Sequence, residues 1–224
     1  MNKKTNLENQ IINFYKPTGL SSAQTLNLIK KLCGVKKAGF AGTLDPMASG
    51  ILLIGFNKST KTLHELSQTD KAYYVEILFG VQTDTGDITG QVINESTNIN
   101  LNFDEIKEAV SRFVKTQYVQ ATPRYSAVKI NGVRAYKLAR KNIDFIPPQR
   151  EVNVYTAGCL GWDCPVLGVV IHVSKGFYVR EFVNDLAKQL NTCATAKKIV
   201  RIRCGNFNLK DAITLKQLKQ TYGR

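Results

Sequence analysis

The chain has 224 residues, 43% hydrophobic and 21% charged, which is enough apolar content to bury a full core without disulfide or metal staples. Thirty-one Lys and Arg against 17 Asp and Glu leave a formal charge of +14, an excess that suits a phosphate-bearing partner and ranks nucleic acid first. No apolar run is long enough to span a bilayer, residues 1–10 lack the apolar stretch of a signal peptide, and the cysteines at 33, 159, 164, 193 and 204 include no C-x-x-C pair. A cytoplasmic protein with reduced thiols and no membrane partner is therefore expected.

In chain order, residues 11–15 read as a short strand ending at Lys16-Pro17-Thr18-Gly19, a turn in which proline fixes one dihedral and glycine frees another. A helix over 22–33 follows. Ser21 and Gln24 fit a capping box, Ala23, Leu26, Ile29 and Leu32 recur at helical spacing, and Gly34 is the natural stop. The glycine-punctuated run 39–50 leads into an apolar strand at 51–54. From 71 to 80, Tyr73, Val75, Ile77 and Phe79 share the buried face of a strand, with Tyr74 and Glu76 opposite. A polar turn at 83–90 precedes a second strand, and 103–113 has the amphipathic spacing of a helix begun after Asn102. Residues 123–150 carry Arg124, Lys129, Arg134, Lys137, Arg140, Lys141 and Arg150 with Tyr125 and Tyr136 interleaved, the composition of an RNA-facing insertion. A strand over 166–174, a helix through Phe182, Val183, Leu186 and Leu190 with Arg180 in its first turn, and a short closing helix within 209–218 complete the pattern. The alternating elements imply an α+β class, with a basic insertion and a flexible N-terminus over 1–9.

Judged from residue types alone, Asp45 is an aspartate in a turn before proline, and most such residues shape a loop. Two features point further: Gly39, Gly42 and Gly50 let backbone approach a bulky ligand, and Pro46 holds Asp45 out of helical geometry. His64 and His172 sit in no metal-ligand or triad spacing and read as structural or surface residues.

The run Gly-Phe-Ala-Gly-Thr-Leu-Asp-Pro-Met-Ala-Ser-Gly at 39–50 resembles the signature loop of the bacterial tRNA pseudouridine-55 synthases, the TruB family. Four further blocks agree with that family in the same order: Lys16-Pro17-Thr18-Gly19, Lys71-Ala72-Tyr73, the segment 123–140 around Tyr125-Ser126-Ala127, and the segment 174–180 ending in Tyr178-Val179-Arg180. The resemblance implies the pseudouridine-synthase fold, a mixed, mostly antiparallel sheet flanked by helices, in one catalytic domain over 10–224 with an insertion at about 120–150 and no separate C-terminal module. It also implies an isomerase that flips the T-loop uridine 55 of tRNA out of its stack. It implies that Asp45 is the catalytic aspartate, attacking the base or the sugar, that Tyr73 stacks on the flipped base, and that Arg180 pairs with Asp45. Tyr178 and Ile199 would wall the pocket, Ile199 standing where the family usually has leucine. Lys16 and Pro17 would support the loop, and Phe40, Gly42 and Thr43 would meet the RNA. Moving a base from an N-glycoside to a C-glycoside needs no cofactor, metal or energy source, so none is expected. Nothing in the sequence requires a partner subunit, and a monomer acting on the T-arm stem-loop is the expectation.

The chain departs from the family pattern at Gly39-Phe40-Ala41-Gly42, where relatives carry Gly-His-Thr-Gly, so a phenyl ring replaces a histidine expected to meet the RNA. That departure keeps open two other readings: a tRNA-binding or tRNA-refolding protein with no needed catalysis, and a related synthase acting on other RNA.

Overall fold

The computed structural model describes residues 9–222, and the expected flexible N-terminus, Asn9 apart, lies outside them. Its strands are β1 (Ile11–Lys16), β2 (Ala38–Ala41), β3 (Ser49–Phe56), β4 (Lys71–Phe79), β5 (Val81–Thr83), β6 (Val92–Glu95), β7 (Tyr118–Ala121), β8 (Lys129–Ile130), β9 (Val133–Arg134), β10 (Gln149–Val152), β11 (Val154–Asp163), β12 (Val166–Val173), β13 (Ala194–Cys204) and β14 (Phe207–Asn208). Its helices are α1 (Ser22–Cys33), α2 (Leu63–Ser67), α3 (Phe103–Ser111), α4 (Ala135–Ala139), α5 (Val179–Gln189) and α6 (Leu215–Tyr222). Helices interleave with strands that pair both antiparallel, as β1 with β3, and parallel, as β3 with β13, so the class is α+β with mixed pairing. The chain forms two compact units, one made of the residues up to Tyr73 together with those from Val200 on, the other of Tyr74–Ile199.

In the first unit β3 is buried along its whole length, because both its edges and both its faces are covered. β1 takes one edge, while β13 and β2 share the other. Leu52, Ile54 and Phe56 pack with Ile12, Phe14, Ile29, Cys33 and Leu218 beneath α1 and α6; Ile51 and Leu53 pack with Ala41, Leu63 and Cys204. Gly50 lies where three strands meet, opposite Lys16 of β1 and opposite Arg201 of β13. Its φ is +102°, and a Cβ there would stand 2.3 Å from the Arg201 carbonyl oxygen, so only glycine fits the crossing.

Helix α1 keeps the expected ends: Ser21 caps it in a capping box with Gln24, and Gly34 closes it in the left-handed conformation. Its buried stripe is Ser22, Thr25, Ile29 and Cys33, with Ala23 exposed, so the helix is turned from the Ala23–Leu26–Ile29–Leu32 line that apolarity alone suggests. The Ser22 hydroxyl is drawn inward by two hydrogen bonds to Leu44. The closing helix also differs from the expected span within 209–218. A 3-10 turn covers Leu209–Asp211 and α6 starts only at Leu215. Between them Ile213 bonds to β1, its N–H donating to Asn13 O and its carbonyl accepting from Tyr15 N. Satisfying the strand edge overrides local helix preference there.

In the second unit, β13, β4, β12 and β11 are successive neighbours. Val75, Ile77 and Phe79 of β4 and Leu167, Val169, Ile171 and Val173 of β12 are buried, while Tyr74 and Glu76 are partly exposed, which is the alternation expected of β4. Strand β11 went unmarked by the sequence pattern: its register shifts at two bulges and its two glycines break the alternation. The ladder of β7 with β10, from Ala121↔Gln149 to Tyr118↔Val152, closes the base of the basic segment 122–148. Within that segment lie the β8–β9 hairpin and α4.

Gly50→Ala is expected to lower the unfolding free energy by about 3 kcal/mol or more, from overpacking added to backbone strain. Gly132→Ala, at φ +82° with nothing within 4 Å of the added Cβ, should cost only about 1 kcal/mol. Urea denaturation of the two variants checks the contrast.

Candidate active site

Asp45 is half-buried in the loop between β2 and β3, and its two neighbours in sequence are fixed from outside the loop. On one side Ser22 Oγ donates to Leu44 O at 2.9 Å and accepts from Leu44 N at 2.8 Å. On the other, Pro46 O accepts from Gly19 N at 2.8 Å and from Lys16 Nζ at 3.4 Å. Ala48 N closes a turn onto Asp45 O, and the side chains of Leu44, Met47 and Ala48 are buried. The carboxylate is thus carried on a short segment whose backbone is immobilised on both flanks.

Lys16 is fully buried, and its ammonium donates to the carbonyls of Pro17, Leu20 and Pro46. Burial lowers its pKa to about 8, Asp45 opposing that fall and Arg201 adding to it. Arg201, also buried, donates from Nε to Ile51 O at 2.7 Å and from Nη2 to Gly42 O at 3.0 Å. Tyr73 is buried on β4, as its strand position predicts. Burial pushes its hydroxyl upward in pKa, and the nearby Arg201 guanidinium works against that. Lys16, Pro17, Gly42, Asp45 and Tyr73 therefore gather in one unit around one carboxylate and two buried cations. Thr43 is exposed on the same loop, and Phe40 packs part of its ring against the cluster under α1.

In the second unit Arg180 is buried in the first turn of α5, not solvated as a first-turn arginine usually is. Nη1 donates to Thr85 O at 2.5 Å and Nη2 to Tyr125 O at 3.0 Å. The loop carrying Thr85 is shaped by buried Asp87, whose Oδ1 accepts from Thr89 N and from the Thr85 and Thr89 hydroxyls. Tyr178 precedes α5, and Gln120 of β7 brackets its backbone, accepting from Tyr178 N at 2.9 Å and donating to Tyr178 O at 3.0 Å. The Arg150 guanidinium lies 5.0 Å from the Tyr178 ring centroid. Ile199 is buried near the middle of β13. Arg124 pairs with Asp144, while Lys129, Arg134, Lys137, Arg140 and Lys141 are exposed with no ion-pair partner among the described residues.

Ser22, Gln120 and Arg201 were not singled out by the sequence pattern. Nothing local marks Arg201; what the sequence does show is that between residues 9 and 61 Asp45 is the only acidic residue among seven lysines, a cationic setting for the loop.

Ser22→Ala leaves both polar groups of buried Leu44 without that partner and should cost about 1–3 kcal/mol, measured by denaturant unfolding. Lys16 provides a pH test. Below about pH 8 the folded and unfolded chains both hold its proton; between that value and 10.5 only the unfolded chain does, so this group makes stability rise with pH. The stability of the wild type relative to Lys16→Met should therefore shift in the wild type's favour across that window, and a flat difference would contradict the burial argument.

A family model described as the TruB family pseudouridylate synthase N-terminal domain matches residues 30–179. The tRNA pseudouridine synthase B of Mycoplasmoides gallisepticum is 43% identical over 205 residues, covering 92% of this chain and 95% of that protein. That of Ureaplasma urealyticum is 41% identical, covering 95% and 93%. Among solved structures, a chain in the crystal structure of a Cbf5-Nop10-Gar1 complex superposes with a TM-score of 0.74 at 25% identity, over 94% of this chain and 53% of that one. A chain of the archaeal box H/ACA sRNP Nop10-Cbf5 complex gives 0.70 at 21%, over 96% and 54%. The present chain spans about half the length of those solved chains and nearly all of its two bacterial relatives. Matched over two-thirds of its length by the family model and over nine-tenths by close relatives, the chain belongs to the TruB family of pseudouridylate synthases.

Proposed function

We propose that this chain isomerises the T-loop uridine 55 of transfer RNA to pseudouridine, with Asp45 as the catalytic carboxylate. The observation that carries this reading is the loop 42–50: Ser22 fixes the residue before Asp45 and Lys16 the residue after it, an arrangement that a binding surface would not need. The names of the two bacterial relatives support tRNA as the substrate. In the reaction the bond from C1′ to N1 breaks, the base turns, a bond from C1′ to C5 forms, the hydrogen on C5 leaves as a proton, and N1 takes up a proton in its place. No electrons are gained or lost. A carboxylate with a fixed position serves attack on either sugar or base, because holding it in reach removes the entropic cost of bringing nucleophile and substrate together.

The remaining roles follow the family resemblance. The target nucleotide leaves its stack, and the Tyr73 ring is its platform. Arg180 acts as the cation serving the carboxylate, with Tyr178 and Ile199 as pocket wall. Thr43 and the exposed cations of 124–141 meet the phosphates of the T arm. Phe40, whose ring is partly committed to the core, meets RNA less than the histidine it replaces. Because β4 and β13 each contribute residues to both units, we read 10–224 as one catalytic domain, working as a cytoplasmic monomer.

Tritium released from a T-arm stem-loop containing 5-tritiated uridine reports loss of the C5 hydrogen. Wild-type chain should release it, and Asp45→Asn should reduce release to background while binding the RNA as tightly. Release undiminished in Asp45→Asn would remove Asp45 from the chemistry; tight binding with no release by the wild type would leave an RNA-binding or refolding protein.

A further inference from the structure

Arg201 is a fully buried guanidinium with no carboxylate at ion-pair distance among the described residues. Such a group is costly to retain unless its geometry matters, since a buried cation held only by neutral acceptors is replaceable by an apolar side chain as far as stability is concerned. Its contacts are specific to the loop that carries Asp45. Nη2 holds Gly42 O at the loop's start, and Nε holds Ile51 O just past its end. Between these points the backbone of Arg201 lies opposite Gly50, so close that a Cβ on that glycine would collide with it. Gly42, at φ +67°, leaves only 3.3 Å between a built Cβ and Nη1, which fits the guanidinium tightly under the loop. The same guanidinium is near enough to the Tyr73 hydroxyl to oppose the rise that burial gives its pKa.

Building on the catalytic role proposed for Asp45, we propose that Arg201 is a positioning residue that clasps both ends of the loop 42–51 and sets the distance between Asp45 and the Tyr73 ring. The planar fork makes this possible: Nε and Nη2 donate in fixed, divergent directions, whereas a lysine ammonium is a single point on a flexible stem and holds one carbonyl at a time. The role is distinct from that of Lys16, which secures the middle of the loop through Pro46 O.

The test uses the full chain with Arg201→Lys and Arg201→Met in the tritium-release assay, alongside RNA binding and hydrogen exchange. Both variants should bind the stem-loop as the wild type does and keep its KM, while kcat falls, by about 100-fold for Arg201→Met, the loss that a displacement of about 1 Å brings. Exchange should quicken in peptides covering 42–51 and stay unchanged on α1 and β3 beyond residue 52. Unchanged kcat, or a fall matched by lost RNA affinity and exchange spread over the whole chain, would overturn the proposal. Should a variant not fold, the wild type decides: the loop must exchange as slowly as β3, and free exchange across 42–51 overturns the clasp. Absence of tritium release by the wild type is a different result, one that refutes the catalytic reading itself.

Discussion

The structure around Asp45 depends on one constraint: a single carboxylate must be presented on irregular backbone without that backbone moving. Irregular segments are ordinarily mobile because their N–H and C=O groups lack a ladder. Here buried side chains take the ladder's place. Ser22 supplies donor and acceptor to Leu44, Lys16 supplies a donor to Pro46, and Arg201 supplies donors to the carbonyls at either end. Gly50 allows β1, β3 and β13 to come close enough for Lys16 and Arg201 to flank the loop from adjacent strands.

Burying two cations is unfavourable, and the lowered pKa of Lys16 records that cost. The carbonyls offset part of it, and the nearby Asp45 favours the charged ammonium. The second unit uses the same device on Arg180, held by two backbone carbonyls, one from the loop that Asp87 shapes and one from Tyr125. The basic segment is tied down at its base by apolar contacts as well as by the β7–β10 ladder. The rings of Phe113, Tyr118, Phe177 and Phe182 meet edge to face or tilted, and the Tyr118 hydroxyl bonds to Asp185 of α5. Helix α5 and the base of the insertion are thereby one packed piece.

Much of this was legible in sequence where local physics governs. The ends of α1 followed from Ser21, Gln24 and Gly34, the start of α3 from Asn102, and the buried face of β4 from alternation at Tyr73, Val75, Ile77 and Phe79. The loop's importance was visible in its glycines and the Asp45-Pro46 pair. Where partners distant in sequence decide, the pattern was silent or misleading. The inward turn of α1 depends on Leu44, 22 residues away from Ser22, and the late start of α6 depends on β1 pairing with Ile213. Arg201 looked like one basic residue in a basic strand, since its acceptors lie about 150 residues earlier.

The most direct test is to incubate unmodified full-length tRNA transcript with the purified chain and map pseudouridine by carbodiimide modification and primer extension. One new stop is expected, at the T-loop uridine. A transcript left unmodified, or modified only at other uridines, would contradict it.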